Sequence, residues 1–207
     1  MTNKITLEIT ERTAFADGAA FGDCGAYERL SGRAHHAVDP AAAAQAGIVD
    51  LENAPTNKDG LVEFAADFLI LRPADLKKGN KRLFYDFGNR GNMRALQFLN
   101  DATFSNTPDT MAHAGNGFLF RRGYTFIWSA WQGDVFPGNN RTILNVPVAT
   151  QNDKSIIGVN RVEFRPNQPR EIKILSSSLA ASGGLVRGST GSFLAKNLVD
   201  KTFREDP

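Results

Sequence analysis

Apolar and polar positions alternate in two runs along the first part of the chain, with a further strand between them that is marked by its proline end. Lys4–Arg12 sets Ile5, Leu7 and Ile9 against polar neighbours, the period-two pattern of a half-buried strand. Tyr27–Pro40 predicts a second strand that closes at Asp39-Pro40, because the residue before proline is driven toward extended geometry. Gly60–Pro73 places Val62, Phe64, Ala66, Phe68 and Ile70 on one face of a third strand, which stops at Pro73. Arg82–Asn89 is short, aromatic and nearly continuous, as expected of a strand covered on both faces. Asn92–Asp101 has helical composition, with Met93, Leu96 and Leu99 at three-residue spacing. Asp109–Gly123 predicts more helix, interrupted near Gly115 and closed by Gly123. Tyr124–Asp134 is an aromatic and β-branched strand entering a Gly-Asp turn.

Beyond that point the pattern changes. Three strand-like runs, Thr142–Thr150, Ser155–Pro166 and Arg170–Ser177, precede a Ser/Gly-rich stretch and a short helical segment at Ser192–Phe203. These elements predict a mixed α/β fold with a soft boundary near Asn139. Residues 1–138 hold the leading strands and the α/β part, and residues 139–207 a β-rich extension with a polar tail.

Composition narrows the function classes. With 24 basic and 22 acidic residues in 207 the net charge is +2, and no dense run of either sign provides a footprint for nucleic acid or a membrane surface. Cys24 is the single cysteine, which excludes an internal disulfide and a cysteine-rich zinc site. No apolar run approaches a membrane span, and the polar start has no signal-peptide pattern, so a cytoplasmic location is the default expectation. No cofactor or metal is expected.

The stretch Leu83–Asn92, LFYDFGNRGN, runs an apolar strand into a loop of glycine and asparagine. Strand, Gly-rich loop, helix and strand then succeed one another through Leu83–Gly91, Phe118–Gly123 and Tyr124–Gly133. This order resembles an α/β-hydrolase from its third strand, through the oxyanion loop and first helix, into its fourth strand. The wording of the chain over Phe21–Phe164, including FLFRRGYTFIWSAWQGD, is similar to the N-terminal part of the large bacterial alpha/beta hydrolase domain-containing proteins. The resemblance implies a partial α/β-hydrolase-like sheet, a serine-dependent hydrolysis of a small-molecule ester in a complete protein, and members longer than this chain. It leaves self-association or a C-terminal catalytic segment as expected partners.

A serine hydrolase of that fold needs G-x-S-x-G and the chain order Ser, acid, His. Ser182 and Ser189 lie in looser small-residue settings, and His35, His36 and His113 all precede them. The chain by itself is therefore expected to be inactive. Cys24 with His35 or His36 offers a thiol–imidazole pair on paper, but a lone cysteine is more often an inert packed thiol. His35 and His36 are adjacent on a strand and point to opposite faces, which argues against a metal cluster with Asp39. His113 suits a surface or helix-capping role.

The loop has two readings. In one, Gly88 and Gly91 permit positive φ and Asn92 caps the following helix. In the other, the resemblance makes Asn89, Arg90 and Gly91 an oxyanion loop, with a backbone N–H poised at a helix N-terminus. Arg90 either meets a substrate carboxylate or holds the loop through an ion pair. Tyr124, Phe126 and Trp128 read as core at period two, with Trp131 at the strand end the one expected to be exposed and substrate-facing. The alternative from another class is a non-catalytic β-rich ligand-binding or interaction module, and a third is a truncated product with no independent role.

Overall fold

The alternating run at the N-terminus forms an eleven-residue strand, β1 (Lys4–Ala14), in a computed structural model that describes residues 3–156. The remaining strands are β2 (Tyr27–Val38), β3 (Val62–Pro73), β4 (Leu83–Asp86), β5 (Thr125–Ser129) and β6 (Leu144–Asn145). Between β4 and β5 lie three short helices, α1 (Ala95–Leu99), α2 (Met111–Ala114) and α3 (Phe118–Arg121). The chain divides into two compact units, Met1–Ala149 and Thr150–Pro207. In the second, the described residues form a hairpin of β7 (Thr150–Gln151) and β8 (Lys154–Ser155). The runs expected at 170–177 and 192–203, and most of 155–166, lie outside the described residues.

The first unit is built on one six-stranded sheet in the order β1-β2-β3-β5-β4, with β6 pairing β3. Every pairing is antiparallel except β4 with β5, which run parallel and register Leu83 with Thr125 through Asp86 with Trp128. A parallel pair needs a crossover, and the segment carrying α1–α3 supplies it. The mixed α/β expectation therefore holds in coarse form, as a mixed sheet that is mostly antiparallel with few helices.

Register separates the two faces. Leu69 and Leu71 of β3 share one face with Trp128 and Phe126 of β5 and with Phe84 of β4. That face packs on the helices and on the loop between β1 and β2, and Phe15, Phe21, Phe120, Leu96 and Leu119 complete the core. Phe120 stacks on Phe21 with centroids 4.8 Å apart and meets Tyr27 edge-on at 4.9 Å. The Tyr27 hydroxyl lies 2.9 Å from the Phe120 carbonyl and 3.0 Å from that of Tyr124, tying β2 to the end of α3 and the start of β5. Burial, reinforced by the nearby Cys24, pushes its ionisation well above the ordinary tyrosine range, so it stays a neutral donor.

The opposite face carries Ile5 and Leu7 of β1, Phe64 and Ile70 of β3, Ile127 of β5 and Tyr85 of β4. It is only partly covered: Leu30, Val62, Ala66 and Phe68 are buried on it, but Ile5 is 67% exposed and Tyr85 50%, and a groove of about 500 Å³ runs across it. This corrects the reading of Arg82–Asn89 as a strand covered on both faces. Phe84 and Asp86 turn toward the helices, whereas Leu83 and Tyr85 stand in the open. Leu99, expected beside Met93 and Leu96, is also exposed; Met93 precedes α1 and Leu99 is its last residue.

Candidate functional site

At the carboxyl end of β4 the chain enters a loop that closes on itself. The Asn92 N–H donates to the Asn89 carbonyl at 3.2 Å, and the two residues between them, Arg90 and Gly91, have φ of 54° and 74°. Positive φ at both central positions is the feature of a type I′ turn. A side chain in that region costs about 1–2 kcal/mol, so Arg90 is a strained residue held by its neighbours. Its N–H donates to Gln132 Oε1. Its guanidinium reaches Asp134 Oδ2 at 2.9 Å and the Asp134 carbonyl at 3.1 Å. Of the two roles open to Arg90, the ion pair is the one the structure displays.

Gly91 is required by both conformation and space. Its carbonyl accepts the Thr142 N–H at 3.1 Å, and a Cβ there would lie 2.6 Å from the Thr142 carbonyl oxygen. Gly88 does not use positive φ. Its glycine is needed because a Cβ would come within 2.1 Å of the Asn92 carbonyl oxygen. The N–H groups of Asn89 and Gly91 donate to no acceptor among the described residues.

Asn92 does not cap α1. The first helical N–H, that of Ala95, donates to Asp86 Oδ2 at 3.0 Å, and the same oxygen accepts the Trp128 indole N–H at 2.8 Å. One carboxylate at the end of β4 thus fixes both the start of α1 and the ring of Trp128. Asn92 instead ties down the loop. Its side chain donates to the Asn89 carbonyl at 3.0 Å and accepts from Asn106 at 3.1 Å. Buried Asn106 also donates to the Asn139 carbonyl at 2.8 Å and accepts the Met93 N–H at 2.9 Å. α1 begins at Ala95 with Arg94 at its N-cap position, so the loop precedes the helix and does not form its first turn. Asp86, Asn106, Gln132 and Asp134 were not singled out from the sequence. An acidic residue ending an apolar strand is a local signal for Asp86, but the other three matter only through partners far along the chain.

Trp131 is half exposed, with its indole N–H donating to the carbonyls of Phe87 at 2.6 Å and Gly88 at 2.8 Å. Its ring therefore pins the entry of the loop while one side stays open. Phe126 and Trp128 are buried and stacked at 5.8 Å, as expected of core positions. Asp86, Gly88, Gly91, Trp128 and Trp131 border a cavity of about 10 Å³, room for roughly one water and not for an ester.

The other candidates stay apart. Cys24 is buried and its thiol donates to the Arg121 carbonyl at 3.3 Å. His35 lies eight strand positions beyond Tyr27, about 26 Å along β2 at the usual rise per residue, so no thiol–imidazole pair forms. His35 Nε2 meets Glu8 at 2.8 Å on one face, and His36 stacks on Phe64 at 4.6 Å on the other. Among the described residues no three metal-ligating side chains cluster. His113 Nδ1 accepts the backbone N–H groups of Asp109 and Thr110, the capping role expected of it. Ser182 and Ser189 lie outside the described residues. No helix among the described residues is long and apolar enough to cross a membrane. Comparison with family models, with curated proteins and with solved structures finds no match to this chain.

Proposed function

We propose that this chain contributes the leading strands and one side of an oxyanion site to an α/β-hydrolase-type serine esterase, with the nucleophile, acid and histidine supplied by a C-terminal catalytic segment. One observation carries this reading. A strained glycine loop, with two backbone N–H groups unpartnered among the described residues, sits at the carboxyl end of a parallel strand on the edge of the sheet. Open α/β sheets take their ligands at that end, and strain held in place by ion pairs is common at ligand clamps. In this reading the next parallel strand adds beside β4 and carries the nucleophile. Serine Oγ attacks the ester carbonyl as histidine takes its proton, and the N–H of Asn89 or Gly91 donates to the oxyanion that forms. The exposed Leu83 and Tyr85, and the open apolar face, fit a sheet that continues past β4.

Two experiments test it. Because the sequence holds no G-x-S-x-G elbow followed by an acidic residue and a histidine, the purified chain should show no labelling by a fluorophosphonate probe and no turnover of p-nitrophenyl acetate. Stoichiometric labelling of one serine refutes the division of labour. The coding sequence immediately downstream should continue in an open frame through G-x-S-x-G, then an acidic residue, then a histidine. A frame without that order refutes the hydrolase reading.

The groove of about 500 Å³ on the open face favours a second reading, a non-catalytic apolar-ligand module. Saturable binding of a fluorescent fatty acid, abolished by Phe68→Asp or Ile127→Asp, would support it over the first.

A further inference from the structure

β1 ends the sheet, and no strand among the described residues pairs with its outer side. All eleven of its residues are exposed, Ile5, Leu7 and Ile9 by more than half. A long edge strand bearing apolar side chains is a template for another strand. The bulge between Ile9 and Glu11 interrupts that edge, so regular pairing is confined to the residues before Thr10.

We propose that two copies of this chain pair antiparallel through β1, about a two-fold axis that passes through Thr6. Lys4 then stands opposite the partner's Glu8, Ile5 opposite the partner's Leu7, and Thr6 opposite the partner's Thr6. An axis perpendicular to the sheet keeps each face continuous, which requires apolar positions to meet apolar ones. It must therefore pass through a residue rather than between two. Centred on Ile5, it would set Lys4 against Thr6, and centred on Leu7 it would set Lys4 against the bulge. Centred on Glu8, it would bring two carboxylates face to face. Only the Thr6 centre sets Lys4 against Glu8 and Ile5 against Leu7, with Ile9 opposite the partner's Asn3.

Within one copy, Lys4 lies 3.9 Å from Asp59, and Glu8 Oε2 lies 2.8 Å from His35. Both are exposed arrangements, and Glu8 Oε1 accepts no hydrogen bond among the described residues. β1 and β4 are opposite edges of the sheet, so this pairing does not depend on the hydrolase reading.

Sedimentation equilibrium of the full chain should show a reversible dimer. Lys4→Glu and Glu8→Lys each place like charges opposite one another twice, and each should weaken the dimer about tenfold. The double variant Lys4→Glu with Glu8→Lys should restore it. Thermal melts of each variant confirm that the fold is retained. In a Cys24→Ser background, Thr6→Cys chains should close an intermolecular disulfide on mild oxidation, since facing residues bring Cα atoms to about 4.5–5.5 Å. Thr13→Cys chains, beyond the bulge, should not. A monomer at every concentration overturns the proposal, and so does a dimer that ignores both charge reversals.

Discussion

Replacing Gly91 with alanine should unfold this protein more readily, and the size of the effect follows from the loop geometry. Alanine at φ of 74° occupies the left-handed region, at about 1–2 kcal/mol relative to glycine. The added Cβ falls 2.6 Å from the Thr142 carbonyl oxygen and 3.0 Å from Arg141 Cβ. The first contact is with backbone, which cannot swing away as a side-chain tip can, so the 139–142 segment must shift. That shift stretches the Thr142 N–H bond to the Gly91 carbonyl, worth about 0.5–1.5 kcal/mol. Together these give about 1.5–3.5 kcal/mol, reaching the upper end of single-residue effects. Urea titration followed by tryptophan fluorescence measures it, because Trp128 is buried beside Asp86 and Trp131 donates to the loop carbonyls. At about 2–4 °C per kcal/mol for a chain of this size, the melting temperature should fall by about 3–14 °C. A loss under about 0.5 kcal/mol would show that the turn yields freely, and the account of a loop locked against residues 141 and 142 would be wrong.

At Arg90, alanine and glycine both remove the ion pair to Asp134, but only glycine accepts φ of 54° without strain, so Arg90→Gly should be more stable than Arg90→Ala by about 1 kcal/mol in the same titration. Equal stabilities would mean that Arg90 carries no backbone strain. Asp86→Ala removes the acceptor for both the Ala95 N–H and the Trp128 indole N–H, and should cost about 2–4 kcal/mol, with an altered Trp128 emission in the folded state. An unchanged melt would rule out the carboxylate as the fixing point of α1. Burial raises the pKa of the Glu28 carboxyl, but its hydrogen bonds to Arg12 and Arg72, each 2.7 Å, and their charges outweigh that and hold it below the ordinary carboxylate range. Its contribution is therefore complete at neutral pH and is lost as pH falls below about 4, toward the lowered folded value. Glu28→Gln should be destabilising at pH 7, and its deficit should shrink as the acid limb is descended. A deficit independent of pH would assign the effect to packing.

What the sequence determined by itself was the set of elements whose signal is local. Period-two alternation located β1, β3 and β5, and the two prolines marked where β2 and β3 must end. The glycines at 115 and 123 marked the breaks among the short helices, because only glycine takes those backbone angles cheaply. The opposite-facing histidines and the capping role of His113 were legible for the same reason. Which apolar face is covered was not legible, since Phe64 and Ile70 alternate as cleanly as Leu69 and Leu71. Only the placement of the helices on one side of the sheet separates the two rows. Nor could the sequence distribute the duties of the loop. Gly88 reads as a residue for positive φ but is needed for a close approach to Asn92, and Arg90, an unfavourable residue for that conformation, adopts it because Gln132 and Asp134 hold it there. Those partners lie more than forty positions away. Asn106 joins residues 92, 93 and 139 through bonds that exist only once the crossover has brought them together. Backbone periodicity is written in neighbouring residues, whereas hydrogen-bond partnership across the crossover is a property of the folded chain alone.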